Sequence, residues 1–411
     1  MPSRREFLGY AGATAGVVIA GCGRQAGENG AAQNTAPAAS GAASGGRREI
    51  SVGGRRVRTI DAHTHCFVGD AFPLVKDQPW AKASLNTLAR VYNGQEPVIS
   101  AERLAYMDKE GADTHILNIP PWWYPAKEEK LARAICEAQN KGMAAAVAQH
   151  PGRFLAYACV PLQFPEAAAE TLQDAVKQGF VGAGLSCNVN GEEMSSKRFD
   201  PLWAAAQELN VPVFIHPGNR GGFNGLRYPE GFNQRLEGYG NFFNVIGHPL
   251  ETTIALGHLI FEGTLDRFPG LRVIAAHGGG FIASYIERFD ASCAWDPEGC
   301  RPGQKKPSDY FKSQIFPDSK VFSTEALRHL VATHGAANVV FGTDQLAGGR
   351  DRSDSEHADQ RRGEDRDSWG QYGENAMPFE LAAVRRVMRG EDMRTRREFL
   401  GYAGSATLRR G

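Results

Sequence analysis

Four short blocks in a fixed order constrain this chain more than any other feature: IDAHTH at 60–65, FIHP at 214–217, AHGGG at 276–280 and FGTD at 341–344. Each closes an apolar, β-branched run, as the C-terminal tip of a buried strand does. Strands of this kind fit a (β/α)8 (TIM) barrel, whose strand tips converge on the one face that carries the active site. His63, His65, His216 and Asp344 are then expected to meet as ligands of one divalent metal, with His277 beside them. His63 and His65 are two apart on a strand end, so both imidazoles fall on one face. A single His-x-His pair arises easily by chance, whereas four blocks, each at a strand tip, do not.

The remaining pattern supports the barrel. Strands are expected at 57–62, 114–119, 154–160, 180–187, 211–216, 271–276, 321–323 and 339–342, the seventh being the weakest pattern. Between them run helical patterns at 101–110, 128–149, 165–178, 201–209, 252–268, 281–289 and 324–333. In the fourth, Leu202, Ala205, Ala206 and Leu209 mark one face, with Asp200 expected as cap and Pro201 in the first turn. The glycine- and aromatic-rich stretch 217–247 reads as an active-site loop or lid.

Both ends depart from a folded pattern. SRREFL at 3–8, followed by an apolar stretch from Tyr10 to Ala20, resembles a twin-arginine export signal, too short to span a membrane permanently. IAGC at 19–22 resembles a lipobox, which leaves two readings: lipidation of Cys22, or plain cleavage with release into the periplasm. Residues 23–54 read as a flexible linker, and 55–348 as the barrel. From Gly349 to Gly373 no aliphatic residue is larger than alanine, and RREFLGYAG at 396–404 repeats residues 4–12. The span 349–411 therefore reads as an aberrant, disordered tail, first as the product of a reading-frame shift soon after Asp344 with read-through into a coding sequence starting at Met393, and second as a natural disordered tail, which the duplicated signal disfavours.

Net charge is zero and the sequence pI about 7.2, which excludes the basic signature of a nucleic-acid binder. Seven cysteines at irregular spacing indicate neither a zinc knuckle nor a disulfide framework. Cys66, next to the histidine pair, stands either near the metal or as a small buried apolar residue.

Three imidazoles and a carboxylate suit Zn²⁺, with Mn²⁺ as the other reading. The fourth strand, FVGAGLSCN at 180–188, lacks the carboxylated lysine with which two-metal barrels commonly bridge their ions there, so by comparison with such barrels a single metal is expected. His277 leads into three glycines that let a substrate approach the backbone. It reads first as general acid or base, second as a fourth imidazole ligand or a structural residue. Asp344 can ligate, move protons, or both. Arg103 either binds a substrate carboxylate or is solvated on its helix. Trp122, Trp123 and Tyr124 either face a flat substrate or pack beneath a loop. His115, His150, His248, His258, His329, His334 and His357 read as structural.

Together these blocks, with IFEGTLDRFPGL at 260–271 and EALR at 325–328, resemble the amidohydrolase-related family that includes aminocarboxymuconate-semialdehyde and γ-resorcylate decarboxylases. The resemblance covers about Arg58 to Asp344. It implies a TIM barrel of the metal-dependent hydrolase type, ligands at His63, His65, His216 and Asp344, and a catalytic histidine at His277. It implies a small-molecule carboxylic acid as substrate, with CO₂ release from an unsaturated or aromatic acid as the first activity and lactone or amide hydrolysis as the second. Relatives often form homodimers. The family usually continues past the position of Asp344 with an apolar turn, and QLAG at 345–348 followed by the charged block departs from that.

Overall fold

The computed structural model describes residues 47–52, 54–82, 85, 98–218, 236 and 239–345, all within the compact unit that begins at Gly45. The signal segment with Cys22, most of the linker, the span 349–411 and most of the 217–247 loop lie outside the described residues. No helix among the described residues is long and apolar enough to cross a membrane.

Seven short parallel strands follow one another around a barrel: β1 (Ile60–His65), β2 (Thr114–Asn118), β3 (Phe154–Ala156, resuming after Tyr157 as Ala158–Cys159), β4 (Ala183–Ser186), β5 (Val213–His216), β6 (Val273–Ala275) and β7 (Ile315–Pro317). Residues 340–345 take the eighth position. Val340 N–H donates to Pro317 O at 3.0 Å, Ala62 N–H to Phe341 O at 2.8 Å, and His65 N–H to Gln345 O at 2.7 Å. The ring is therefore closed by Gln345.

One correction concerns the seventh strand, expected at 321–323. The chain there is a bend, with Phe322 at φ 56° and exposed, and the strand is Ile315–Pro317 instead. Three residues ending in proline show no alternation to read, yet all three are buried.

One inward side chain from nearly every strand fills the barrel: Ala62, Ile116, Tyr157, Phe214, Ile274 and Ala276, Phe316 and Val340 form a closed apolar cluster. At that level β4 presents Gly184 instead. A larger cluster packs the outside of the barrel against the helices.

Those helices are α1 (Ala101–Glu110), α2 (Glu129–Gln149), α3 (Pro165–Lys177), α4 (Asp200–Glu208), α5 (His248–Phe261), α6 (Ala276–Ser284), α7 (Ile286–Trp295) and α8 (Thr324–His334). Local capping explains the clean starts of α1 and α8. Ser100 Oγ accepts from Arg103 N–H at 3.2 Å, and Ser323 Oγ from Ala326 N–H at 3.1 Å. Three expectations are corrected. The helix placed at 252–268 starts at His248, with Pro249 in its first turn. It stops at Phe261, because Gly263 turns left-handed before the single turn Thr264–Arg267. The pattern at 281–289 is split between α6 and α7 at Tyr285. Asp200 is no cap: a 3-10 turn at Lys197–Phe199 already feeds the helix, and the carboxylate accepts from Arg267 at 2.8 Å.

Residues at the end of the span read as linker make contacts with the barrel unit. Arg48 N–H donates to Asp108 O at 2.8 Å, and the Arg47 guanidinium lies 2.5 Å from Asp113. A further correction is chemical: Cys293 and Cys300 form a disulfide across the turn after α7. Cys66, Cys136, Cys159 and Cys187 are free and buried.

Candidate metal centre

The geometry of the site starts with an irregularity in β1. The register of β1 against β2 shifts between Asp61 and Thr64, so Ala62 and His63 both turn into the barrel and His65 follows on the same side. A bulge of this kind re-aims side chains that strict alternation would send outward. Asp61 holds it in place, accepting from His63 N–H at 3.0 Å, Thr343 N–H at 3.2 Å and Thr343 Oγ at 2.6 Å. Burial pushes the Asp61 carboxyl up to about 6 against those donors.

The ligating atoms of His63, His65, His216 and Asp344 lie within 4.8 Å of one another, and all four residues are buried. His63 Nε2 is 3.3 Å from His65 Nε2 and 3.3 Å from Asp344 Oδ1, which is 3.0 Å from His65 Nε2. Two tautomers are fixed from behind. His63 Nδ1–H donates to Asp318 Oδ2 at 2.6 Å, and His216 Nδ1–H donates to Pro217 O at 2.8 Å, which turns both Nε2 lone pairs toward the common centre. His216 Nε2 is buried there without a partner among the described residues. A donor set of three imidazoles and one carboxylate around a buried, unpartnered nitrogen fits a divalent first-row ion.

The charges agree with a cation site. Burial, then the neighbouring His65, His63 and His277, hold His216 well below the usual imidazole range, and so neutral. Burial alone would raise the Asp344 carboxyl, but the charge of His63 and the neighbouring His277 and His65 hold it well below the usual carboxylate range. Burial likewise disfavours the charged form of His63, but Asp344 and Asp318 outweigh it and lift that imidazole to about 10.

His277 stands on the far side of Asp344, its Nε2 3.6 Å from Oδ2. The backbone around it is left-handed at four successive residues, His277, Gly278, Gly279 and Gly280, and Asp344 is left-handed too. Such backbone costs on the order of 1–3 kcal/mol per non-glycine residue and persists where the surroundings fix it. Here Gly278 N–H donates to Asp318 Oδ1 at 2.9 Å. A Cβ at Gly280 would lie 2.3 Å from Pro249 O, so the glycine lets the first turn of α5 pack directly on the loop. His248, read from sequence as structural, opens α5 and stacks on His277 with ring centroids 5.9 Å apart. It borders the site.

Other expected residues have different surroundings. Arg103 is neither solvated nor at the mouth: it is fully buried, and Nη1 donates to His65 O at 2.7 Å, behind the ligand. Trp122 is buried with Nε1 donating to Gln139 Oε1 at 3.1 Å, and Trp123 donates to Val160 O, so packing is what the structure gives both. Cys66 is buried, and burial pushes its thiol up to about 12. His258 pairs with Glu262 on the surface, and His334 stacks on Phe311.

Sequence reading missed Asp318 and Glu251. Asp318 follows directly on β7, so the correct seventh strand would have exposed it as another polar strand tip. Glu251, on α5, accepts from Asn188 Nδ2 and from Gly218 N–H at 3.3 Å, tying down the turn after His216. Burial raises its carboxyl to about 8. Between the ordinary carboxyl range and pH 8 the unfolded chain has lost this proton and the folded chain keeps it. Each unit of rising pH in that window therefore costs folding up to about 1.4 kcal/mol. Glu251→Gln is expected to flatten the pH dependence of denaturant midpoints between pH 5 and 8; an unchanged slope would show that this carboxyl does not carry it.

Residues 60–383 match the amidohydrolase family. The chain belongs to that family. It is 32% identical over 265 residues, 59% of this chain and 75% of the relative, to a γ-resorcylate decarboxylase of Rhodococcus jostii (strain RHA1). It is 29% identical over 246 residues, 59% of this chain and 65% of the relative, to a 2-amino-3-carboxymuconate-6-semialdehyde decarboxylase of Dictyostelium discoideum. Its fold is similar to the crystal structure of a dihydroxybenzoic acid decarboxylase from Polaromonas sp. JS666 with bound manganese and an inhibitor, 2-nitroresorcinol, with a TM-score of 0.56 at 22% identity over 81% of this chain and 94% of that one. This amidohydrolase-family chain is thus a metal-dependent enzyme on a TIM barrel.

Proposed function

We propose that this amidohydrolase-family chain is a decarboxylase of an unsaturated or aromatic carboxylic acid that holds one Zn²⁺, or else Mn²⁺, between His63, His65, His216 and Asp344. The observation that carries this reading is the convergence of those four ligating atoms within 4.8 Å, with His277 3.6 Å from the outer oxygen of Asp344. The decarboxylase relatives support the reaction class.

Loss of CO₂ leaves an electron pair on carbon, so the site must hold the carboxylate, supply a proton and keep bulk water out. When bound, the ion supplies positive charge for the substrate's carboxylate and neighbouring oxygen. His277 gives its proton to the carbon that bears the carboxylate. The bond from that carbon to the carboxylate then breaks, and its electrons restore the unsaturated system. Asp344, kept ionised by His63, orients His277 through Oδ2. Asp318 and Asp61 keep His63 in place without meeting the substrate.

The test is CO₂ release by metal-loaded protein offered 2,6-dihydroxybenzoate and related acids, before and after chelation. Release that stops on chelation is expected. Hydrolysis of lactones with no CO₂ from any acid would move the assignment to a hydrolase.

We also propose export by the twin-arginine route to the periplasm, either free or anchored through Cys22. The Cys293–Cys300 disulfide supports an oxidising compartment. Recovery of the chain in the cytoplasm with both thiols reduced would overturn this.

A further inference from the structure

The arc of the barrel mouth between the ligands His65 and His216 carries no ligand, yet it is not apolar. Asn118 is the parallel-sheet partner of His65, and Ser186 that of His216. Partners on neighbouring parallel strands share a face, so both side chains point into the barrel at the level of the metal site. Both residues are almost fully buried, at 1% exposure. Asn118 Nδ2, Asn118 Oδ1 and Ser186 Oγ have no hydrogen-bond partner among the described residues. An unsatisfied buried polar group costs about 1–3 kcal/mol, and polar groups in such a place are held there for something that completes them.

The barrel makes room for this amide. A Cβ at Gly184, two residues before Ser186 on the same face of β4, would lie 2.0 Å from Asn118 Oδ1. The asparagine thus reaches past Tyr157 into the gap that Gly184 leaves in the apolar plug, just below Ser186. An amide, which donates and accepts, lies under a hydroxyl, which does the same, on the wall across from His277 and Asp344.

We infer that Asn118 and Ser186 form a hydroxyl-reading wall, which selects carboxylic acids that carry a hydroxyl beside the carboxylate and fixes that hydroxyl on the side away from His277. This rests on the decarboxylase reading above. A site built to hydrogen-bond a hydroxyl rejects the analogue that lacks it, because its own buried polar groups are then left unpaired. Water alone in the gap would satisfy the amide equally well whichever ligand is bound, and that is the alternative to be tested.

The experiment uses unreactive probes, in which a nitro group stands in for the carboxylate: 2-nitroresorcinol, 2-nitrophenol and nitrobenzene, titrated into the Mn²⁺-loaded full chain. The wild type is expected to lose about tenfold in affinity for at least one of the two hydroxyls removed. Asn118→Leu, close in shape but without hydrogen-bonding atoms, is expected to bring that step to within about twofold while holding one metal per chain. Ser186→Ala, a smaller change, is expected to shrink the same step and serves as the readout if the leucine variant does not fold. A step that persists in a metal-loaded variant, or a wild type that binds all three probes alike, overturns the wall. CO₂ release from 2,6-dihydroxybenzoate is measured alongside. Release with a flat probe series overturns the wall alone, whereas a stepped series without release overturns the decarboxylase reading and leaves the wall standing.

Discussion

Replacing His63 and His65 together by alanine is expected to take bound metal from about one per chain to none, and CO₂ release with it. Two of the four donors then disappear, and His216 with Asp344 cannot enclose an ion on their own. Elemental mass spectrometry against protein concentration reads the result, and stoichiometric metal on the folded double variant would sink the ligand assignment. His63→Ala also strands the buried Asp318 carboxylate that it pairs with at 2.6 Å, at a cost of about 3–5 kcal/mol. His65→Asn leaves that pair intact and so separates loss of metal from loss of fold. The same site predicts linked protons. With the His63 imidazole at about 10 in the metal-free protein, an entering ion must displace a proton at neutral pH. Metal affinity is therefore expected to rise with pH up to that value, with about one proton released per ion bound in weakly buffered solution.

His277→Asn is expected to keep the metal and lower the rate of CO₂ release by about 10²–10⁴-fold, the usual worth of a positioned proton donor. Asparagine is the right replacement because residue 277 is left-handed, at φ 56°, and asparagine tolerates that backbone better than alanine does. Alanine would add strain to the 277–280 loop and mix a structural effect with a chemical one. Rates are read by stopped assay on chains matched for metal content. Turnover that survives in His277→Asn would remove the proton-donor role and leave His277 as a packing partner of His248.

Much of this architecture was legible in the sequence because the barrel repeats one simple pattern. Buried parallel strands are apolar runs, and helices between them show a period of 3.6 with caps such as Ser100 and Ser323. Six of the expected strand positions hold a strand of the barrel, residues 340–345 occupy the last position, and α1 has the expected bounds. The strand that was misplaced, β7, is too short to have a period, and its loss concealed Asp318. The four blocks that named His63, His65, His216, His277 and Asp344 were readable because each polar residue stands at the end of an apolar run.

What the sequence by itself determined is which residue types stand at the strand tips, and hence the barrel and the donor set. Only the tertiary structure decided how those donors are aimed. The bulge in β1 turns His63 and His65 inward, Asp318 and Pro217 O select their tautomers, and α5 brings His248 and Glu251 to the mouth. The same is true of Arg103, which reads as a surface or substrate residue and is in fact buried behind His65, and of Cys293 and Cys300, which are joined with no pattern to announce them. The physical reason is range. Periodicity and capping act between residues a few positions apart and leave a trace in the order of the letters. Tautomers, burial and hydrogen-bond partners depend on groups brought together from as far apart as His63 and Asp318, and their pairing is fixed only when the barrel closes.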